Sequence, residues 1–327
     1  MTVSVQPAEQ PHILGEVISG TGWLTLNRPG ALNALDLQMV TDMQAQLEAW
    51  AVNPDVRQVV VQGKGRAFCA GGDIRLAYEA WKKGFYDEAD AFFRLEYSLN
   101  LYVHEYSKPY VAILDGITLG GGMGVSIHGS HRIVTERARL GMPETIIGYF
   151  PDVGSSYFLN QCPGESGLYA GLTGNQISPA DALYMGLATH YMPSKNIPKL
   201  VALLQTGEDL EIAIKTHELK LMQTGAIQEH INIIDTCFGQ DSVEDIFKAL
   251  ASDGSTFALE TFETLKTRCP QSLEETFALF RRARDFSGVA EAIEEDYRKS
   301  KRLGGSPNFI EGIRAAVVDK DRNPKWV

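Results

Sequence analysis

Glu144 and Asp152 stand eight residues apart in Met142-Pro143-Glu144-Thr145-Ile146-Ile147-Gly148-Tyr149-Phe150-Pro151-Asp152-Val153-Gly154, a stretch otherwise built largely of apolar residues, Gly and Pro. Surroundings of that kind strip water from a carboxylate and shift its pKa, as acid/base chemistry requires. The same residues also suit plain structure, with Glu144 in the first turn of a helix and Asp152 capping a helix over Ser155 to Leu159. Upstream lie two glycine-rich loops, Gly63-Lys64-Gly65-Arg66-Ala67-Phe68-Cys69-Ala70-Gly71-Gly72-Asp73 and Asp115-Gly116-Ile117-Thr118-Leu119-Gly120-Gly121-Gly122-Met123-Gly124. Each follows an apolar strand, precedes a helical run and can expose backbone N–H groups, and one N–H from each is the minimum for polarising a carbonyl. In the first loop the glycines could equally serve a tight turn. In the second, four glycines in five positions cost about 1 kcal/mol each in helix propensity. That cost calls for close packing against the sheet or for a helix N-terminus whose bare N–H groups face a developing oxyanion.

Other chemistries lack their residues. No Gly-Lys-Ser/Thr follows at P-loop spacing and no full G-x-G-x-x-G is present, which disfavours a nucleotide-phosphate hydrolase or a dinucleotide fold. G-x-S-x-G, the nucleophile elbow, is absent as well. His128 and His131 have no third ligand nearby and read as surface or core histidines. Cys69 has no obvious base beside it and reads as a small buried thiol.

The elements that must position these segments alternate in type. His12 to Ser19 and Trp23 to Asn27 are β-rich runs around Gly20-Thr21-Gly22, a hairpin signal. Asp36 caps a helix with apolar Leu37, Val40, Met43, Leu47 and Trp50, which ends at Asn53-Pro54. Val56 to Gln62, Tyr110 to Leu114 and His131 to Thr135 read as strands, and Ile74 to Lys83 and Asp87 to Tyr106 as helices, so crossover units of an α/β core are expected. After about Leu200 the apolar spacing turns helical almost throughout. The chain therefore divides into a core over 1–204 and a helical region over 205–327.

At 327 residues the length suits two such units. A 44% hydrophobic and 22% charged composition is that of a folded protein. The formal charge of -11 argues against nucleic-acid and membrane-surface partners. Against that total, residues 57–83 hold Arg57, Lys64, Arg66, Arg75, Lys82 and Lys83 but only Asp73 and Glu79, a basic island around the first loop. Cys69, Cys162, Cys237 and Cys269 lie far apart, which suggests a reducing compartment. Met1 to Glu9 carries no secretory or mitochondrial pattern, and a cytoplasmic location is expected.

Taken in order, these segments, with Leu26-Asn27-Arg28-Pro29-Gly30-Ala31-Leu32-Asn33-Ala34-Leu35 before them, resemble the crotonase (enoyl-CoA hydratase/isomerase) superfamily over about residues 13–195. The resemblance implies a repeated ββα spiral core followed by helices, and an acyl-CoA thioester whose carbonyl lies between the amides of Ala70 and Gly121. It implies CoA contacts from Arg28, Ala31, Leu32, Ala70, Gly71, Asp73 and Ile74, with no metal and no cofactor besides the CoA of the substrate. Trimers or larger assemblies are usual in the family, although the C-terminal helices here could cover the same surface within one chain.

The hydratases of that superfamily carry two glutamates; the second matches Glu144, but the first falls at Gly124. Asp152 offers a different carboxylate. Together with Phe92-Phe93-Arg94-Leu95-Glu96-Tyr97 and the C-terminal Asn308-Phe309-Ile310-Glu311-Gly312-Ile313-Arg314-Ala315, this resembles the 3-hydroxyisobutyryl-CoA hydrolase branch, of the valine-catabolism type. On that resemblance Glu96, Gly121, Glu144 and Asp152 line the acyl pocket, and Glu144 and Asp152 carry the hydrolysis. An enoyl-CoA isomerase or hydratase working through Glu144 is the nearest alternative, and a non-catalytic acyl-CoA binding protein is another.

Overall fold

The computed structural model describes residues 11–327; Met1–Glu9, read above for an address, lies outside them. The strands are β1 (Ile13–Ile18), β2 (Thr21–Leu26), β3 (Gln58–Gly63), β4 (Ala67–Cys69), β5 (Tyr110–Leu114), β6 (Ile117–Leu119), β7 (His131–Val134), β8 (Arg139–Gly141) and β9 (His190–Tyr191). Four helices of the first half matter for the site: α1 (Leu37–Val52), α2 (Ile74–Lys83), α3 (Tyr86–His104) and α4 (Gly121–Ile127). The larger sheet runs β1-β2-β3-β5-β7-β9, antiparallel only between β1 and β2, and β4-β6-β8 form a smaller parallel sheet.

The hairpin turn is tighter than expected. Ser19 and Gly20 both take positive φ, as a two-residue turn demands, and Thr21 and Gly22 already belong to β2. Gly22 is a packing residue, because a Cβ there would fall 2.8 Å from the Trp50 ring of α1. The cap at Asp36 is as expected: its side chain accepts the Met39 N–H at 2.8 Å.

β3 and β5 are apolar without alternation because the parallel sheet is covered on both faces. Val59, Val61, Ala112, Leu114 and Val134 point into the main core, which runs from Ile13 to Ile313. Their neighbours Val60, Val111, Ile113 and Ile133 point the other way, under the helices Ile197–Gln205 and Leu210–His217.

Each spiral turn places one strand in the large sheet, reverses, and places the next in the small sheet: β3 then β4, β5 then β6, β7 then β8. Since β4, β6 and β8 are parallel, their C-terminal ends lie along one edge. That edge delivers Ala70-Gly71-Gly72, Gly120-Gly121 and Pro143-Glu144 to one place. The helices Pro270–Ala283, Val289–Leu303 and Pro307–Ile313 add Phe280, Ile293 and Phe309 to the main core.

Candidate active site

The three strand ends converge on a narrow cavity of about 90 Å³ lined by Ala70, Gly71, Gly72, Gly120, Gly121 and Glu144 on one side and by Glu96, Asp152 and aromatic rings on the other. Glu96 arrives from α3, Glu144 opens a short helical turn after β8, and Asp152 follows on the next loop. All three carboxylates are at most 7% exposed.

Close packing accounts for the glycine run. Gly120 sits at φ +50, and a Cβ on it would lie 2.7 Å from Glu144 Oε1. A Cβ on Gly121 would overlap Glu96 Oε1, and one on Gly124 would meet Asn100 Nδ2 and Val153 Cβ, each at 2.8 Å. The run thus brings two carboxylates against bare backbone, and Gly124 leaves no room for the glutamate that hydratases place there.

Ala70 is not the amide donor that the sequence reading expected. Its N–H already donates to the Leu32 carbonyl at 3.0 Å, since the loop 28–34 is welded to the end of β4. Asn33 completes the weld by donating to the carbonyls of Lys64 and Ala67. Among the described residues the Gly72 N–H makes no hydrogen bond, and a Cβ on Gly121 would fall 3.2 Å from it. Gly121 is the first residue of α4, so its N–H has no helical partner. Gly72 and Gly121 thus present two unpaired amides close together at the cavity.

The carboxylates form an electrostatic unit. Burial pushes the Asp152 carboxyl up to about 6, moderated by the Tyr97 hydroxyl, which donates to Asp152 Oδ2 at 2.8 Å. Tyr149 lies behind it, with 3.4 Å between the two tyrosine hydroxyl oxygens. Burial, reinforced by the Asp152 charge, holds both Glu144 and Glu96 well above the usual carboxylate range. Glu144 Oε2 and Glu96 Oε1 are buried without a hydrogen-bond partner, so each has an oxygen free for a ligand. Asp152 is not a helix cap; Gly154 takes that place before Ser155–Phe158. Glu144 does occupy a first helical turn, and it faces the cavity from there.

Of the residues expected to contact CoA, Ala70, Gly71 and Ile74 line the cavity. The Arg28 guanidinium is an internal strut, donating to Asp73 Oδ2 at 3.0 Å and to the Ala34 carbonyl at 2.6 Å, with Asp36 Oδ2 3.4 Å away. Exposed Ala31 and half-buried Leu32 present the adjacent backbone. The basic island disperses: Arg57 donates to the carbonyls of Ser19 and Gly207, while Arg75 and Lys83 face Glu79. Lys64 and Arg66 are exposed and make no ion pair among the described residues. Cys69 is fully buried, with its thiol pushed up to about 12, which rules it out as a nucleophile at neutral pH. His128 donates to the Val153 carbonyl and His131 pairs with Glu211, so the two do not converge.

Sequence reasoning missed Gly72, Tyr149 and Phe309, which line the cavity, Tyr97, which donates to Asp152, and two buried neighbours of the site, Asn100 beside Gly124 and Asp296, which accepts the Gly154 N–H. Tyr97 stands beside Glu96 in a segment already singled out. Asp296 had one signal: it shares helical spacing with Ile293, Ser300 and Leu303, a core-facing stripe.

A family model described as enoyl-CoA hydratase/isomerase matches residues 21–327. The chain is 42% identical to a Xenopus tropicalis protein named 3-hydroxyisobutyryl-CoA hydrolase, mitochondrial, over 93% of this chain and 81% of that one. It is 39% identical to the Homo sapiens protein of the same name, over 96% and 84%. A crystal structure described as a carnitinyl-CoA dehydratase from Mycobacterium thermoresistibile superposes with a TM-score of 0.92 at 39% identity, covering 97% of this chain and 92% of the other. The cytoplasmic expectation is overturned, because relatives this similar are named as mitochondrial. Scattered cysteines suggest a reducing compartment without specifying which one.

Proposed function

The chain belongs to the enoyl-CoA hydratase/isomerase family, and from that premise we propose that it hydrolyses 3-hydroxyisobutyryl-CoA to the free hydroxy acid and CoA. It is an acyl-CoA thioester hydrolase. The observation that carries the proposal is the meeting of Glu144, Asp152 and Glu96, all buried, with the free Gly72 and Gly121 amides on one narrow cavity. In our reading the thioester oxygen lies between those two amides, where negative charge develops as the carbonyl is attacked. Losing one such donor costs about a hundred- to a thousandfold in rate.

Glu144, packed against Gly120 beside those amides, is the carboxylate we assign to the attack. It either takes a proton from water, whose oxygen bonds to the acyl carbon, or bonds to that carbon itself as an anhydride that water then opens. Both routes break the carbon–sulfur bond and return a proton to the thiolate. Asp152, its carboxyl pushed up to about 6 by burial, exchanges protons with Glu144 as one unit and is steadied by Tyr97. Glu96 Oε1 receives the acyl hydroxyl, and the short cavity suits a short acyl group. The backbone of Ala31, Leu32, Gly71 and Ile74 follows the CoA, with Lys64 and Arg66 near its phosphates. No cofactor beyond the CoA of the substrate enters this scheme, and the acidic surface disfavours nucleic-acid and membrane partners. Valine catabolism is the setting this substrate implies, and sedimentation velocity tests the self-association the family implies. Residues 205–327 serve as the cover of the core.

Hydration or dehydration of an enoyl-CoA, the reaction in the name of the dehydratase relative, is disfavoured by Gly124, whose surroundings exclude a second glutamate. A panel of enoyl- and 3-hydroxyacyl-CoAs tests the choice. Free thiol from 3-hydroxyisobutyryl-CoA is expected, falling about a hundredfold or more in folded Glu144→Gln and Asp152→Asn. Parental thiol release by both variants, or loss of a double bond without thiol, defeats the proposal.

A further inference from the structure

Asp152 sits at the start of an unusual piece of backbone. The next residue, Val153, takes φ +53, and Gly154 takes φ +79. Two successive left-handed residues reverse the chain, and a β-branched side chain in that region is a genuine outlier that persists only when its surroundings over-determine it. Val153 is fully buried, so the strain is held inside the molecule.

What holds it is a set of three hydrogen bonds from separate elements. Tyr97 of α3 donates to Asp152 Oδ2 at 2.8 Å, and the His128 Nε2–H, just after α4, donates to the Val153 carbonyl at 2.9 Å. Asp296, on the helix Val289–Leu303, accepts the Gly154 N–H on Oδ2 at 2.7 Å. Asp296 is wholly buried, its Oδ1 has no partner, and its bond reaches across 142 residues. The charged and titratable groups around it are Asp152, Glu295 and Lys299, with Tyr97 and Tyr149 nearby. A buried carboxyl with one oxygen unpaired is costly to keep.

We propose that Asp296 is a positioning residue for hydrolysis: with His128 it clamps the left-handed Val153–Gly154 pair and so aims Asp152 into the cavity. Burial and the Asp152 charge keep the Asp296 carboxyl well above its usual range. What the Gly154 N–H needs is an acceptor oxygen at Oδ2, and an amide oxygen in the same place supplies one. The helical cover thereby reaches into the chemistry. The inference rests on the use of Asp152 proposed above.

The test is thiol release from 3-hydroxyisobutyryl-CoA by the full chain, with kcat and KM resolved, alongside thermal denaturation. Asp296→Asn keeps the acceptor and is expected to hold kcat within about threefold, whereas Asp296→Leu keeps the bulk, loses the acceptor and lowers kcat about ten- to a hundredfold with KM little changed. His128→Phe is expected to behave like Asp296→Leu. If Asp296→Leu does not fold, His128→Phe decides alone. Parental kcat in the folded clamp variants, or a loss in Asp296→Asn as large as in Asp296→Leu, overturns the clamp. Asp152→Asn is the separating control: if it turns over at the parental rate, the role of Asp152 falls, whatever the clamp variants do.

Discussion

Three carboxylates facing one small cavity store a cost that the native fold bears at neutral pH. Asp152 has its carboxyl raised from 3.8 to about 6 in the folded chain, mainly by burial. Between those values the folded state binds more protons than the unfolded one, so this residue's contribution to stability is present at acid pH and is lost as pH rises from about 4 to 6. Asp152→Asn removes the penalty, and denaturation at pH 7 is expected to show a variant more stable by roughly 1–3 kcal/mol, with the gain gone at pH 4. A variant no more stable than the parent at pH 7 would contradict the burial of that charge. Glu144 shares the direction of the shift, as expected where activity is bought with stability.

At the scale of elements, α4 acts as a fitted plug. Its glycines admit Glu144, Glu96 and Cys69 against the backbone, and Gly124 faces Asn100 and Val153. Introducing the hydratase residue by Gly124→Glu forces a charged side chain into occupied space, with an expected loss of about 3 kcal/mol or more. Enoyl-CoA hydration by the folded single variant would show that the site is more plastic than its packing implies. Much of this level was legible in the sequence: the Asp36 cap, the apolar runs of β3 and β5, and a costly glycine run that needed a reason. The choice of Gly72 over Ala70 was not legible, because it depends on Leu32, 38 residues away in the chain, having taken the Ala70 N–H.

For the whole molecule, the C-terminal helix Pro307–Ile313 contributes a wall of the cavity. Phe309 is buried and stacks on Tyr149 with 4.3 Å between ring centroids, and both line the cavity. Phe309→Ala is expected to cost about 3–5 kcal/mol and to let longer 3-hydroxyacyl-CoAs compete, as thiol release against chain length will show. An unchanged chain-length profile would place the acyl boundary elsewhere. The alternation of strands and helices and the two glycine loops could be read from the chain alone, because propensity, capping and turn chemistry are local properties, and Glu144 and Asp152 stood out there as carboxylates in an apolar stretch whose roles came from the family resemblance. Which amides stay unpaired, the lack of room at Gly124 for a second carboxylate, and the reach of Asp296 to the Asp152 loop became visible with the folded chain. Those facts depend on which donors are already paired and which atoms fill a space, and both are settled by segments far apart in the chain.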